Sequence, residues 1–206
     1  MLQLHPIAMS MGGEKGRQAV TMGTLGGGFR AVVAIIILLC TGTLAVNAEL
    51  TAFDEYAVKA GFVYNFAKFV EWPASAFRDA QAPLVVCVVG QDPFGSKLNT
   101  LENKTISGRK LVIKRMATSE DLERCHVLFI SSSENAWLSD ILKAARNRNI
   151  LTISEAPDFC RSGGTINLFL DGDRVRFEIN IRNAEKAGLK ISSHLLSLAK
   201  ICREDN

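Results

Sequence analysis

Short unbroken apolar runs alternate with amphipathic stretches along most of this chain. Leu84–Val89, Cys125–Ile130 and Ile150–Ser154 are runs of five or six residues with almost no polar interruption. Runs of that length bounded by turn residues read as strands buried on both faces, as in a parallel sheet. A further strand is predicted at Leu111–Arg115. Between them, apolar residues recur at helical spacing. Phe53–Val70 places Phe62, Val63, Phe66, Phe69 and Val70 on or near one face, and Glu134–Arg146 does the same with Trp137, Leu138, Ile141, Leu142 and Ala145. Asp92-Pro93-Phe94 is expected to open a helix to Leu101, and Ser119–Leu122 to begin a short one. Strand and helix in alternation call for a parallel sheet covered on both faces.

The pattern changes after Gly163-Gly164. Thr165–Leu170 and Arg174–Asn180 flank Asp171-Gly172-Asp173, a hairpin signal. Ala184–Ala187 and Ser193–Ile201 are predicted as closing helices. The expected fold is thus α/β, a mostly parallel, Rossmann-like three-layer sheet with a C-terminal antiparallel hairpin.

One segment departs from simple packing. Tyr64–Pro73, YNFAKFVEWP, ends a helix on a tryptophan followed by proline. Pro73 cannot continue the helix and pushes Trp72 toward extended geometry. A large aromatic and an acid, Glu71, therefore stand side by side at a sharp turn. Glu71 and Trp72 are the candidate surface for a protein partner, although a tryptophan there also suits plugging the end of the core.

Ahead of the domain, Ala31–Val46 is an uncharged apolar run preceded by Arg30, and Val46-Asn47-Ala48 has the small residues a signal peptidase reads. Residues 1–48 are expected to be an N-terminal extension and secretory signal cleaved after Ala48, and residues 49–206 a single domain. The run is short for a membrane span, which takes about 20 residues. Met22 would begin a leader of ordinary length. Without Lys15, Arg17, Arg30 and Glu14, 21 basic side chains face 20 acidic ones, a net +1. A near-neutral balance argues against nucleic acid, whose phosphates call for concentrated Lys and Arg.

Catalytic motifs fail in detail. Gly90–Lys97 follows a strand and resembles a phosphate loop, but Ser96 separates Gly95 from Lys97, and Pro93 removes one amide from the cradle. No G-x-S-x-G elbow occurs, and Ser131-Ser132-Ser133 suits helix capping before Glu134. His126 and His194 lack acids at metal-ligand offsets, and neighbours such as Cys125 and His126 point to opposite faces of a strand. No catalytic set, metal or cofactor is expected.

The cysteines Cys87, Cys125, Cys160 and Cys202 form an even set in a chain with an export signal, which invites disulfides in any of three pairings. Cys87 and Cys125 lie on the first and third buried strands, which can be adjacent in a doubly wound sheet. Cys160 lies in a Gly-rich loop and Cys202 close to the terminus. These two form a second bridge or stay free thiols.

The ordered set of Tyr64–Pro73, Cys87-Val88-Val89-Gly90 with Phe94-Gly95, Gly108-Arg109, Cys125–Phe129, Ile150–Ser154, Gly163-Gly164, Arg176–Asn180 and Gly188–Ser193 with Leu195-Leu196 resembles the YfiR family of periplasmic regulators. The resemblance implies a non-catalytic protein that binds and inhibits the periplasmic part of an inner-membrane diguanylate cyclase. It thereby implies control of cyclic di-GMP and biofilm formation. It further implies sequestration by an outer-membrane lipoprotein, a homodimer, redox sensitivity and a Cys87–Cys125 bridge. Cys160 matches one cysteine of a second family bridge, but Thr165–Leu168 offers no partner for it. A different class of function is a periplasmic small-molecule sensor or carrier, with a pocket where Glu178, Asn180 and Lys190 converge. Strand alternation instead sets Arg176, Glu178 and Asn180 on one side of the hairpin strand, which makes Glu178 a solvated charge.

Overall fold

The computed structural model describes residues 55–118 and 122–202. The expected leader, its cleavage after Ala48 and the helix start at Ser119–Asp121 lie outside the described residues.

Helix α1 covers 55–69 and buries Ala60, Val63, Phe66 and Ala67, the i, i+3, i+4 set of one face. Phe62 and Phe69 flank that face half-buried. The chain then extends through β1 (Val70–Glu71) and Pro73 opens a single 3-10 turn, Ala74–Ala76. Strand β2 (Leu84–Val89) has all six residues buried, and its alternation feeds two cores. Leu84, Val86 and Val88 join the core beneath α1, while Val85, Cys87 and Val89 join the opposite one. An unbroken apolar run is the sequence form of a strand with two dry faces.

Helix α2 is only Ser96–Asn99, shorter than expected. Asp92 explains why: its side chain accepts a hydrogen bond from the Phe94 amide at 2.8 Å, making a turn where a helix would have begun. Then come β3 (Thr105–Ile106), β4 (Arg109–Met116), a 3-10 turn at Leu122–Arg124 and β5 (Val127–Ile130). The strand expected from Cys125 starts two residues later, although the His126 amide and carbonyl already bond to Val85 and Leu151. The helix expected over Glu134–Arg146 divides into a 3-10 stretch, Ser132–Trp137, and α3, Leu138–Ala145. The tighter winding turns Trp137 outward, where it is 64% exposed, instead of into the core with Ile141, Leu142 and Ala145.

Strand β6 (Leu151–Ser154) leads to the hairpin of β7 (Ile166–Asp171) and β8 (Arg174–Ile179), paired with Asp171 opposite Arg174. The two loop residues are Gly172 and Asp173, and Gly172 takes φ +60°, which glycine reaches without a Cβ penalty. Helix α4 (Ile181–Lys186), β9 (Lys190–Ile191), α5 (Ser193–Leu198) and β10 (Lys200–Ile201) complete the order. Ile201 was expected to end the last helix; instead β10 pairs parallel with β8.

The main sheet runs β10-β8-β7-β6-β5-β2-β4-β3. All its pairs are parallel except β7–β8 and β3–β4. Residues of α1, α2, α4 and α5 share the core on one face; Leu122 and residues of α3 share the core on the other. The fold is α/β with three layers, as the alternation required. Strands β1 and β9 form a separate antiparallel pair. Among the described residues no helix is long and apolar enough to cross a membrane.

Candidate functional site

The corner after α1 is held from two directions. Within the β1–β9 ribbon, Val70 faces Ile191 and Glu71 faces Lys190. The Ser192 amide donates to the Phe69 carbonyl at 3.0 Å, and Ser192 Oγ caps α5 by accepting from the Leu195 amide. Phe69 also lies 5.1 Å from the His194 ring. Glu71 is exposed, and Trp72 is half-buried against the core. The Trp72 indole N–H is buried without a hydrogen-bond partner among the described residues. Such a group weakens the fold by about 1–3 kcal/mol relative to a satisfied one.

Beyond the corner, aromatic and cationic side chains stack. The Arg109 guanidinium lies 3.7 Å from the centre of the Phe77 ring, and Phe77 stacks on His126 with 4.4 Å between centroids. Arg109 also donates to the carbonyls of Asp79 and Ala82, at 3.0 and 2.7 Å. His126 Nδ1 accepts from the Val85 amide at 3.1 Å, and Nε2 lies 3.1 Å from the Ala76 carbonyl. Nε2 therefore carries the proton. Burial, with a smaller push from Arg109, holds the imidazole below its ordinary range, while the Ala76 bond opposes that shift. His126 is thus a tie between β2 and the segment after Trp72. Its neighbour Cys125 is bonded to Cys87, with Cα atoms 5.9 Å apart. Sequence reading singled out Trp72 and Cys125 but missed Phe77, Ala76 and the role of His126. Gly108-Arg109 was a signal, though spacing alone does not reveal what the arginine covers.

The carboxyl edge of the parallel strands, where α/β folds usually take ligands, is filled by the chain itself. Ser133 Oγ accepts from the Gln91 amide at 3.0 Å and donates to the Glu134 carboxylate at 3.0 Å. Gly90, at φ +85°, leaves no room between it and these side chains: an added Cβ would lie 2.4 Å from Ser133 Oγ. Ser131 accepts from the Ser133 amide as a cap, the role expected of it. Farther along that edge, Lys59 is buried between Glu55 and Glu155, with Glu155 Oε1 at 2.7 Å. Tyr56 donates to Glu155 Oε2 at 3.1 Å. Burial first, then the Glu155 charge, pushes the phenol far up, so it stays protonated.

The residues expected to converge on a small ligand are dispersed. Lys190 stands in the ribbon opposite Glu71. Asn180 is buried and serves as the cap of α4, accepting from the Asn183 amide and donating to the Cys160 carbonyl at 2.9 Å. Glu178 is not a freely solvated charge: its side chain is 15% exposed, with Asn167 Nδ2 at 3.3 Å and Lys200 Nζ at 3.6 Å. None of the three lines the cavity of about 450 Å³ that opens near the start of β6. That cavity is walled by Thr152, Thr165 and Asn183 and rimmed by Arg146, Arg161 and Lys186. Cys160 and Cys202 are not bonded; Cys160 is buried and Cys202 half-buried.

A family model described as YfiR/HmsC-like matches residues 56–200, from the start of α1 into β10.

Proposed function

Since the chain belongs to the YfiR/HmsC-like family, we propose that it is a non-catalytic periplasmic regulator that holds an inner-membrane diguanylate cyclase inactive. The contact is made by the corner at Glu71 and Trp72. The observation that carries this reading is the contrast between the two places where the fold could act. The crevice at the carboxyl edge is filled by Ser133 and Glu134, whereas the corner presents an exposed acid beside an aromatic whose N–H has no acceptor among the described residues. An indole with no bond to lose is cheaper to rearrange against a partner than one already satisfied. Aromatic anchors of this kind dominate binding energy at protein interfaces. The role includes release by an outer-membrane lipoprotein that competes for the regulator, and a homodimer as its working form.

A periplasmic sensor of small anions is the second reading. The 450 Å³ cavity favours it, being of ligand size and rimmed by three cationic side chains.

Deleting the gene and measuring cyclic di-GMP tests the first reading. Deletion should raise the nucleotide, the native chain should restore it, and Trp72→Ala, exported at the native level, should not. Unchanged cyclic di-GMP on deletion overturns the cyclase assignment; full restoration by Trp72→Ala overturns the corner.

A further inference from the structure

We propose that Cys160, Glu178 and Cys202 form a binding site for a thiophilic divalent cation, with Zn²⁺ as the representative ion. The two sulfurs and a carboxylate oxygen of Glu178 all lie within 4.8 Å of one another. They come from three separate parts of the fold: the loop between β6 and β7, the strand β8, and the residue after β10. The sheet itself brings them together. Parallel pairing sets Lys200 against Glu178 and Ile201 against Ile179, and the Cys202 amide then donates to the Ile179 carbonyl at 2.9 Å. Cys160 is fixed from the other side, its carbonyl accepting from Asn180 at 2.9 Å and Asn183 at 3.2 Å.

The donor set suits zinc, which takes thiolates and carboxylates and is held in many sites by three protein ligands with a fourth position open. Cys202 is half-buried, so water can reach the group from its side. The carboxylate is already oriented by groups that are not ligands. Asn167 Nδ2 and Lys200 Nζ both approach it, the arrangement by which outer groups tune a metal site.

A carboxylate beside two thiols opposes the thiolate that disulfide exchange requires. A divalent cation reverses the sign of that interaction. Two thiolates, one carboxylate and the cation sum to −1, with the cationic side chains of Lys200 and Arg161 close by. Binding would displace two thiol protons to solvent, which makes affinity rise with pH. It would also pin β10, whose two residues are both exposed, onto the sheet.

The test uses the whole exported chain with its Cys87–Cys125 bridge intact, titrated with Zn²⁺ alone and with Co²⁺ alone. One ion should bind per chain, and Co²⁺ should give thiolate-to-cobalt charge-transfer absorption. Cys202→Ser, which leaves Cys160 as the one sulfur ligand, should lower that absorption by half or more. Glu178→Gln should keep it while weakening binding by about tenfold or more. Cys202 is half-buried and follows a two-residue strand whose residues are both exposed, so the serine variant tests binding and not folding. Saturation at no stoichiometry, absorption undiminished in Cys202→Ser, or peptide mapping that finds Cys160 joined to Cys202 in the isolated protein each overturns the proposal.

Discussion

Two pairs of cysteines occupy one sheet under different constraints. Cys87 lies in β2, with parallel partners on both sides and no exposure, and Cys125 stands at the mouth of β5 next to it. The strands there have dry faces, so the position of each side chain is set by packing before any bond forms. Cys202 follows β10, a two-residue strand at the sheet's end with both residues exposed. Its approach to Cys160 depends on a short ladder and a charged neighbour. The same residue type is thus a fixed strap in one place and an adjustable ligand in the other. What differs is the depth of the strand that carries it and whether a carboxylate stands by.

Removing the strap breaks the comparison most directly. Cys87→Ala with Cys125→Ala opens a loop whose ends are separated by 38 residues, and should lower unfolding free energy by about 4 kcal/mol in chemical denaturation. His126 sharpens it next, because it links the bridged strands to the corner. His126→Ala leaves the Val85 amide without its acceptor and removes the partner of Phe77, so about 1–3 kcal/mol should be lost. The same residue sets a pH dependence. The folded imidazole is held below 6.5, so the unfolded chain takes up a proton first. The contribution of His126 is therefore complete above about pH 6.5 and declines as pH falls below it. Denaturation curves should show that decline in the native chain and a flatter slope in the variant. The smallest effect belongs to the other pair: Cys202→Ser in metal-free protein should change stability by less than about 0.5 kcal/mol. A loss there comparable to that of the strap would erase the distinction drawn between the pairs.

Long periodic segments were legible in the sequence and short ones were not. Leu84–Val89 announces a doubly buried strand because every residue is apolar, and α1 announces its face through Val63 and Phe66, with Phe62 and Phe69 at its flanks. The two-residue strands β1, β9 and β10 have no period to read, and β10 was mistaken for the end of a helix. Trp137 fits α-helical spacing, yet the 3-10 winding of its turn sends it outward. At the candidate site, Glu71 and Trp72 stood out through Pro73, a local signal. The stack of Arg109, Phe77 and His126, and the meeting of Cys160, Glu178 and Cys202, are products of topology. No local pattern marks residues that only the folded sheet makes neighbours.

The β1–β9 pairing has a consequence for the order in which the molecule is made. Val70 is synthesised well before its partner Ile191, with the whole main sheet up to β8 lying between them in the sequence. The corner at Glu71 and Trp72 therefore cannot close its ribbon on a nascent or shortened chain, whatever the state of α1. Contacts so distant in sequence form late and slowly. A product cut before Lys190 keeps the letters YNFAKFVEWP and loses the strand that holds them. The corner thus reports that synthesis has passed Ile191: a chain stopped before it cannot present the corner in its folded form.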